Sequence, residues 1–290
     1  MPLPTTRYSL LVTFFLGIVL VLLIAPFFFP QSYREPSALT YTPPSWNHLC
    51  GTDLNGRDLC YRMLTGGQIS LLVGCCGAIL SLVIGTSYGM IAGYAGKGWD
   101  AGMTRFVDIL YAIPRLIFVL IFINAFNDRL QQAADHLGWS WVVSSSRLLI
   151  LIFSLGLIEW LTMARIVRGQ TLSLKERQFI AAARVLGQSH LIILWRHILP
   201  NLVGILLVYL TLAIPSVIID EAFLSFLGLG VQAPQSSLGS LLAEGAAAIN
   251  PLKSAWWTLL FPSALLLTIL LTLNQLGNEL REFTLERKRS

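Results

Sequence analysis

Residues 175–201 read KERQFIAAARVLGQSHLIILWRHILPN, a basic, water-compatible insert between long apolar segments. Phe179, Ile180, Ala183 and Leu186 fall at helical spacing on one face, with Arg177, Gln178 and Arg184 on the other. Gly187 follows, where a left-handed residue would close the helix. Ser189 is placed to cap a second helix over 190–199, and Pro200 is expected to punctuate it. The stretch therefore predicts a short helix, a sharp turn and a second helix that re-enters the apolar part of the chain. Two readings fit this pattern. One is an amphipathic helix lying on a lipid surface; the other is a stiff handle for a separate protein.

Outward from this insert, the chain is that of an all-α integral membrane protein. Of its 290 residues, 55% are hydrophobic and only 12% are charged, about half the charge of an ordinary soluble domain. Six spans are expected, at about 9–29, 69–92, 106–126, 148–164, 202–227 and 256–276, several of them exceeding the roughly 18–20 apolar residues needed to cross a bilayer. The fourth reads as short and interrupted by Glu159. The first has Arg7 before it but no small-residue cleavage site after it, and is read as a retained span.

Orientation follows from the basic residues. With the N-terminus inside, 13 of the 20 Lys and Arg fall on inner segments and six on outer ones, with Arg115 inside a span. That asymmetry places both termini and the 165–200 insert in the cytoplasm, and Trp256 and Trp257 at the outer interface. The net charge of +5 reports this clustering and gives no reason to invoke nucleic acid. Residues 1–68 then comprise a first span and an extracytoplasmic loop, 69–278 the main membrane domain, and 279–290 a cytoplasmic tail.

The four cysteines divide in two. Cys75 and Cys76 lie inside an apolar run and read as packing residues. Cys50 and Cys60 share an extramembrane loop and would pair if that loop faced an oxidising space. No Cys/His spacing resembles a metal site. Gly93-Tyr94-Ala95-Gly96-Lys97-Gly98 lacks both the spacing of a phosphate-binding loop and a Ser or Thr after its lysine. Any nucleotide is therefore expected on a partner.

Ala181-Ala182-Ala183-x-x-x-Gly187, followed by Arg196-His197-Ile198-Leu199-Pro200-Asn201, resembles the cytoplasmic EAA loop of binding-protein-dependent ABC importer permeases. Gly51-Thr52-Asp53-x-x-Gly56-Arg57-Asp58, Ala164-Arg165-x-x-Arg168-Gly169-Gln170, Leu224-Ser225-Phe226-Leu227-Gly228-Leu229-Gly230 and Leu242-Ala243-Glu244-Gly245 are similar to the second permease subunit of oligopeptide and dipeptide importers. The motifs occur in order over residues 51–245. The resemblance implies a type I ABC importer permease fold, with spans two to six as its core. It implies that Arg177, Ala181, Ala182, Ala183, Arg184, Gly187, His197 and Pro200 belong to a coupling loop held by an ATPase subunit. It further implies a second permease subunit, two ATPase subunits carrying ATP and magnesium, an extracytoplasmic solute-binding protein, and a bacterial inner membrane as the setting. One position departs from the family pattern, since Ala181 stands where a glutamate is usual.

Charges at membrane depth are costly and often functional, so Asp108, Glu159, Asp220 and Glu221 are candidates for a translocation path, the bland alternative being hydrogen bonds between helices. Asp108 and Arg115, seven residues apart, are expected on one helical face. Gly85, Gly89 and Gly93 form a small-residue seam, either with a partner permease or within the subunit. The outer signature Gly51, Asp53, Gly56, Arg57 and Asp58 reads as packing at an outer gate, as contact with a binding protein, or as a self-satisfied turn. The rivals are the same machinery carrying nickel or another small solute, an ion-driven secondary carrier, which would favour inverted repeats that are not seen here, and a membrane-embedded enzyme, which would need a nucleophile or metal-ligand set. The four histidines, His48, His136, His190 and His197, fall in loops or at the interface.

Overall fold

The computed structural model describes residues 4–29, 35–232, 235–250 and 253–286. Helix α1 (Pro4–Ile24) runs into a short 3-10 turn, Ala25–Phe28. An irregular segment follows, then α2 (Leu59–Tyr94), capped by the Asp58 carboxylate on the Tyr61 N–H. Next come α3 (Lys97–Tyr111), α4 (Arg115–His136) and α5 (Ser140–Lys175). The insert contributes α6 (Gln178–Val185) and α7 (His190–Ile192), and a π segment, Ile193–Ile198, joins α7 to α8 (Leu199–Phe226). Helix α9 (Leu238–Ala248) precedes a two-residue antiparallel pair, β1 (Ile249–Asn250) with β2 (Lys253–Ser254), and α10 (Trp257–Glu286) ends the described chain. Of the expected tail, residues 287–290 lie outside the described residues, and α10 continues through the rest.

Five of these helices are long and apolar enough to cross a membrane, and the α3–α4 pair completes the expected six when taken as one broken span. Three expectations need correcting. The span expected over 106–126 is bent by 86° between α3 and α4, because Pro114 cannot continue a helix and pushes Ile113 off helical geometry. The fourth span is not short. Helix α5 runs straight through Glu159 for 36 residues and carries Arg165 and Arg168 with it. Pro200 does not end the second insert helix. The π segment adds one residue per turn there, and the Leu199 N–H reaches the Leu194 carbonyl five residues back. Such a bulge accommodates the missing proline N–H without breaking the rod, so residues 190–226 form one continuous helix.

The frame rests on α2 against α5. A β-carbon at Gly85 would lie 2.5 Å from Met163, one at Gly89 2.5 Å from the Ala164 carbonyl, and one at Gly93 2.8 Å from the Arg168 carbonyl. The small-residue seam is thus a contact within the subunit. On the other side of α2, a β-carbon at Gly74 would meet Ile218 and one at Gly77 would meet Val217, both on α8. Two apolar clusters follow from this packing. One joins α2, α4, α5 and α8 around Val73, Leu151 and Leu224. Another joins Met90, Met163 and Val167 to Ile180, Ala183, Ile193 and Ile198 of the insert.

Candidate functional site

The insert folds as a helical hairpin. Helix α6 ends with the Gln188 N–H on the Ala183 carbonyl and the Gly187 N–H on Arg184, and Gly187 has φ +75°. This is the left-handed closure read from the sequence. Ser189 caps α7 by accepting from the Ile192 N–H. Within the hairpin, the His197 ring meets the Gln188 side chain at 2.7 Å.

The hairpin has two faces. Ile180 and Ala183 are fully buried against the span core, while Ala181, Ala182, Arg177 and Arg184 are exposed. Phe179 and Leu186, expected on the apolar inner face, turn outward. Phe179 is 41% exposed, Val185 88%, Leu186 79% and Leu191 69%. Tyr94, at the end of α2, braces the other side. Its hydroxyl lies 3.1 Å from His190 Nδ1, the Arg184 guanidinium lies over its ring, and Lys175 Nζ donates to the Tyr94 and Ala95 carbonyls. Sequence reasoning missed Tyr94 and Lys175, which carry no pattern of their own.

Asp108 and Arg115 do not share a face, since the bend separates them. Asp108 accepts from Arg165 at 2.6 Å on the surface, beside the ring of Tyr111, over which the Arg165 guanidinium sits 3.8 Å from the centroid. Arg168 makes the parallel contact to Asp100, with Nη2 2.7 Å from Oδ2. These two pairs tie α5 to α3. Arg115, the first residue of α4, instead bridges Glu159 of α5 and Asp220 of α8, the latter at 3.0 Å. Its guanidinium is about half exposed, and Tyr111, Phe118 and Thr162 line the adjoining cleft.

Glu221, next in sequence to Asp220, points elsewhere and is completely buried. Ser70 of α2 donates to it at 2.9 Å and Ser225 at 2.7 Å, while the Leu238 N–H at the start of α9 donates to Ser70. Its carboxyl is a knot between α2, α8 and α9. The turn after α8 is closed by Gly228 at φ +76°, and Arg147 donates to the Leu229 and Gly230 carbonyls.

The outer signature is a compact cluster. Asp53 accepts from the Asn55 and Arg57 N–H groups and from Arg57 Nε, each at 2.8 Å. Arg62 of α2 reaches both Asp53 (2.8 Å) and, in a bidentate pair, Glu244 of α9. His48 lies 2.9 Å from Asp58. Gly51 and Gly56 have φ +77° and +71°, and a β-carbon at Gly51 would strike Trp257. Trp257 is accordingly buried, its indole toward the Thr52 carbonyl, while Trp256 stays half exposed. Trp257, expected at the outer interface, is therefore packed inside the subunit. Burial, with the Asp53 and Glu244 carboxylates, pushes the Tyr41 phenol up. Sequence reasoning assigned no role to Arg62 or Glu244. The charge of Arg62, just inside a helix start, was the available signal.

This arrangement has the form of a transport subunit, with membrane helices, a braced hairpin at the basic end and an ion-paired interior. The chain belongs to the family of binding-protein-dependent transport system inner membrane components, whose model matches residues 85–278. It is 40% identical over 268 residues to the oligopeptide transport system permease protein OppC of Haemophilus influenzae, covering 91% of this chain and 79% of that protein. It is 36% identical to OppC of Bacillus subtilis, over 91% and 80% of the two chains. The dipeptide transport system permease protein DppC of B. subtilis is 35% identical, over 94% and 79%. In fold it is similar to a chain of the methionine ABC transporter MetNI in an inward-facing conformation. That match has a TM-score of 0.57 and 16% identity, and covers 78% of this chain and 97% of the other. The chain therefore has the type I ABC importer permease fold.

Proposed function

We propose that this subunit forms half of the pore of an ATP-driven peptide importer, beside a second, homologous permease. Two ATPase subunits bind ATP and magnesium and grip the α6–α7 hairpin. An extracytoplasmic binding protein delivers the solute, and both termini face the cytoplasm of a bacterial cell. The observation that carries this reading is the divided hairpin. Ile180 and Ala183 lock it to the spans, while Phe179, Val185, Leu186 and Leu191 stand exposed around Gly187. Exposed apolar side chains gathered on one element mark a contact with a protein or a membrane, and we assign these to the ATPase. A stiff, anchored helix under such a patch transmits rigid-body motion, with Arg177, Ala181, Ala182, Arg184, His197 and Pro200 shaping it. Peptides are the proposed cargo because the relatives are named for oligopeptide and dipeptide transport.

Arg115, Glu159 and Asp220 are the proposed path-facing charges. They lie at the broken span, and the guanidinium is open on one side. Asp108 and Glu221 serve the frame instead. The outer cluster of Gly51, Asp53, Gly56, Arg57 and Asp58 holds the outer loop against α2 and α9 and offers an extracytoplasmic contact surface.

The test is uptake of a labelled peptide by proteoliposomes holding the assembled complex and loaded binding protein. ATP on the ATPase side is expected to drive accumulation with no ion gradient. Uptake that follows an imposed proton or sodium gradient without ATP would contradict the proposal.

A further inference from the structure

The outer loop holds two cysteines that the proposed function leaves unassigned. Cys50 and Cys60 flank the turn that carries the outer signature. That turn is closed by the Thr52–Asp58 bridge and by the Leu59 N–H on the Gly51 carbonyl at 3.0 Å, which sets residues 50 and 60 side by side. Cys50 lies in the apolar cluster beneath this turn, and Cys60 packs against the same cluster. Both thiols are free in this structure, Cys50 buried and Cys60 partly exposed. Cys75 and Cys76, adjacent on α2, have no such geometry. The backbone between Cys50 and Cys60 is already held by Gly51 in the left-handed region and by Trp257 packed against it.

We propose that Cys50 and Cys60 are a disulfide-forming pair on the extracytoplasmic face, a modification site that staples the outer signature to the start of α2. This rests on the orientation proposed above, because disulfides persist only in an oxidising compartment. The co-reactant is a disulfide-bearing oxidant of that compartment, protein or small molecule. The thiolate of Cys60, the more accessible of the two, attacks one oxidant sulfur, forming a mixed disulfide and releasing the other sulfur as a thiolate. The Cys50 sulfur then attacks Cys60 Sγ, forming the intramolecular bond and releasing the second oxidant thiolate. Two protein thiols are oxidised, one external disulfide is reduced, and the two protons leave with the released thiols. The product is a closed ring of residues 50–60. It pins Asp53 beneath Arg62, and through Arg62 to Glu244 of α9.

The test uses the full chain in native membranes, acid-quenched, denatured and alkylated with N-ethylmaleimide before digestion with trypsin. The expected result is peptide 35–57 linked to peptide 58–62, separating only after reduction. Dithiothreitol is expected to lower the melting temperature of the wild-type complex and to leave that of a Cys50→Ser, Cys60→Ser variant unchanged. A parallel chain with all four cysteines changed to Ser carries Trp46→Cys, the side chain at that position being 96% exposed. An impermeant maleimide on whole cells reports its side of the membrane. Outside labelling of Trp46→Cys with both native thiols recovered as alkylated adducts overturns the disulfide and leaves the orientation standing. Labelling only after the membrane is opened overturns the orientation, and the disulfide with it.

Discussion

Gly187 is the residue on which the hairpin turns, and its requirement is conformational. No heavy atom lies within 4 Å of where its β-carbon would stand, yet its φ is +75°. A side chain there meets backbone strain of roughly 1–2 kcal/mol and no clash. Gly187→Asn, which tolerates this region, is expected to keep most of the stimulation of ATPase activity by loaded binding protein, whereas Gly187→Val is expected to lose it while the protein still inserts. Equal stimulation in both would show that the turn's geometry is irrelevant. Arg62 presents the opposite case, a buried cation between two carboxylates. Replacing it with Met leaves Asp53, only 5% exposed, without one of its two guanidinium partners. Breaking charged hydrogen bonds of this kind costs about 2 kcal/mol, with Glu244, half open to solvent, contributing the smaller share. A lowered melting temperature of the complex is expected, and an unchanged one would count against the cluster's structural role.

At the scale of elements, the close approach of α2 and α5 is the feature most sensitive to volume. Gly89→Leu would drive a side chain into the backbone of α5 at Ala164 and Arg168. Overpacking of this kind costs about 1–3 kcal/mol and is expected to reduce the amount of assembled complex recovered from membranes. Normal assembly would mean that the helices separate easily. The six crossings, the hairpin with its glycine closure and the Ser189 cap were legible in the sequence because each has a strong local signal. The bend before Arg115 was missed although Pro114 stands there, because the apolar run around it masked the break. The length of α5 was misjudged because Glu159, Arg165 and Arg168 read as water-seeking charges. Their partners Arg115, Asp108 and Asp100 all come from α3 and α4, and no local pattern reveals neighbours more than forty residues away. The same reason hid Arg62–Glu244. The π segment was missed because Pro200 ordinarily ends a helix, and only the continuous packing of Ile193, Ile198 and Leu202 into the span core carries the rod past it.

For the whole molecule, the parts make a lever. The hairpin is fixed to α2 by Tyr94 and to α5 by the apolar cluster around Val167. Helix α8 runs from it without interruption to the turn held by Arg147. A push on the exposed face of α6 is therefore expected to move α8, and with α8 the Asp220 contact to Arg115 and the buried Glu221 knot beneath α9. The outer cluster lies at the far end of the same frame. The most direct test places a photo-reactive phenylalanine analogue at Val185, 88% exposed on the hairpin, in the assembled transporter. A covalent product with an ATPase subunit, its yield changing when ATP is added, is the outcome expected. Crosslinks to lipid alone, with none to any nucleotide-binding subunit in either condition, would contradict the account.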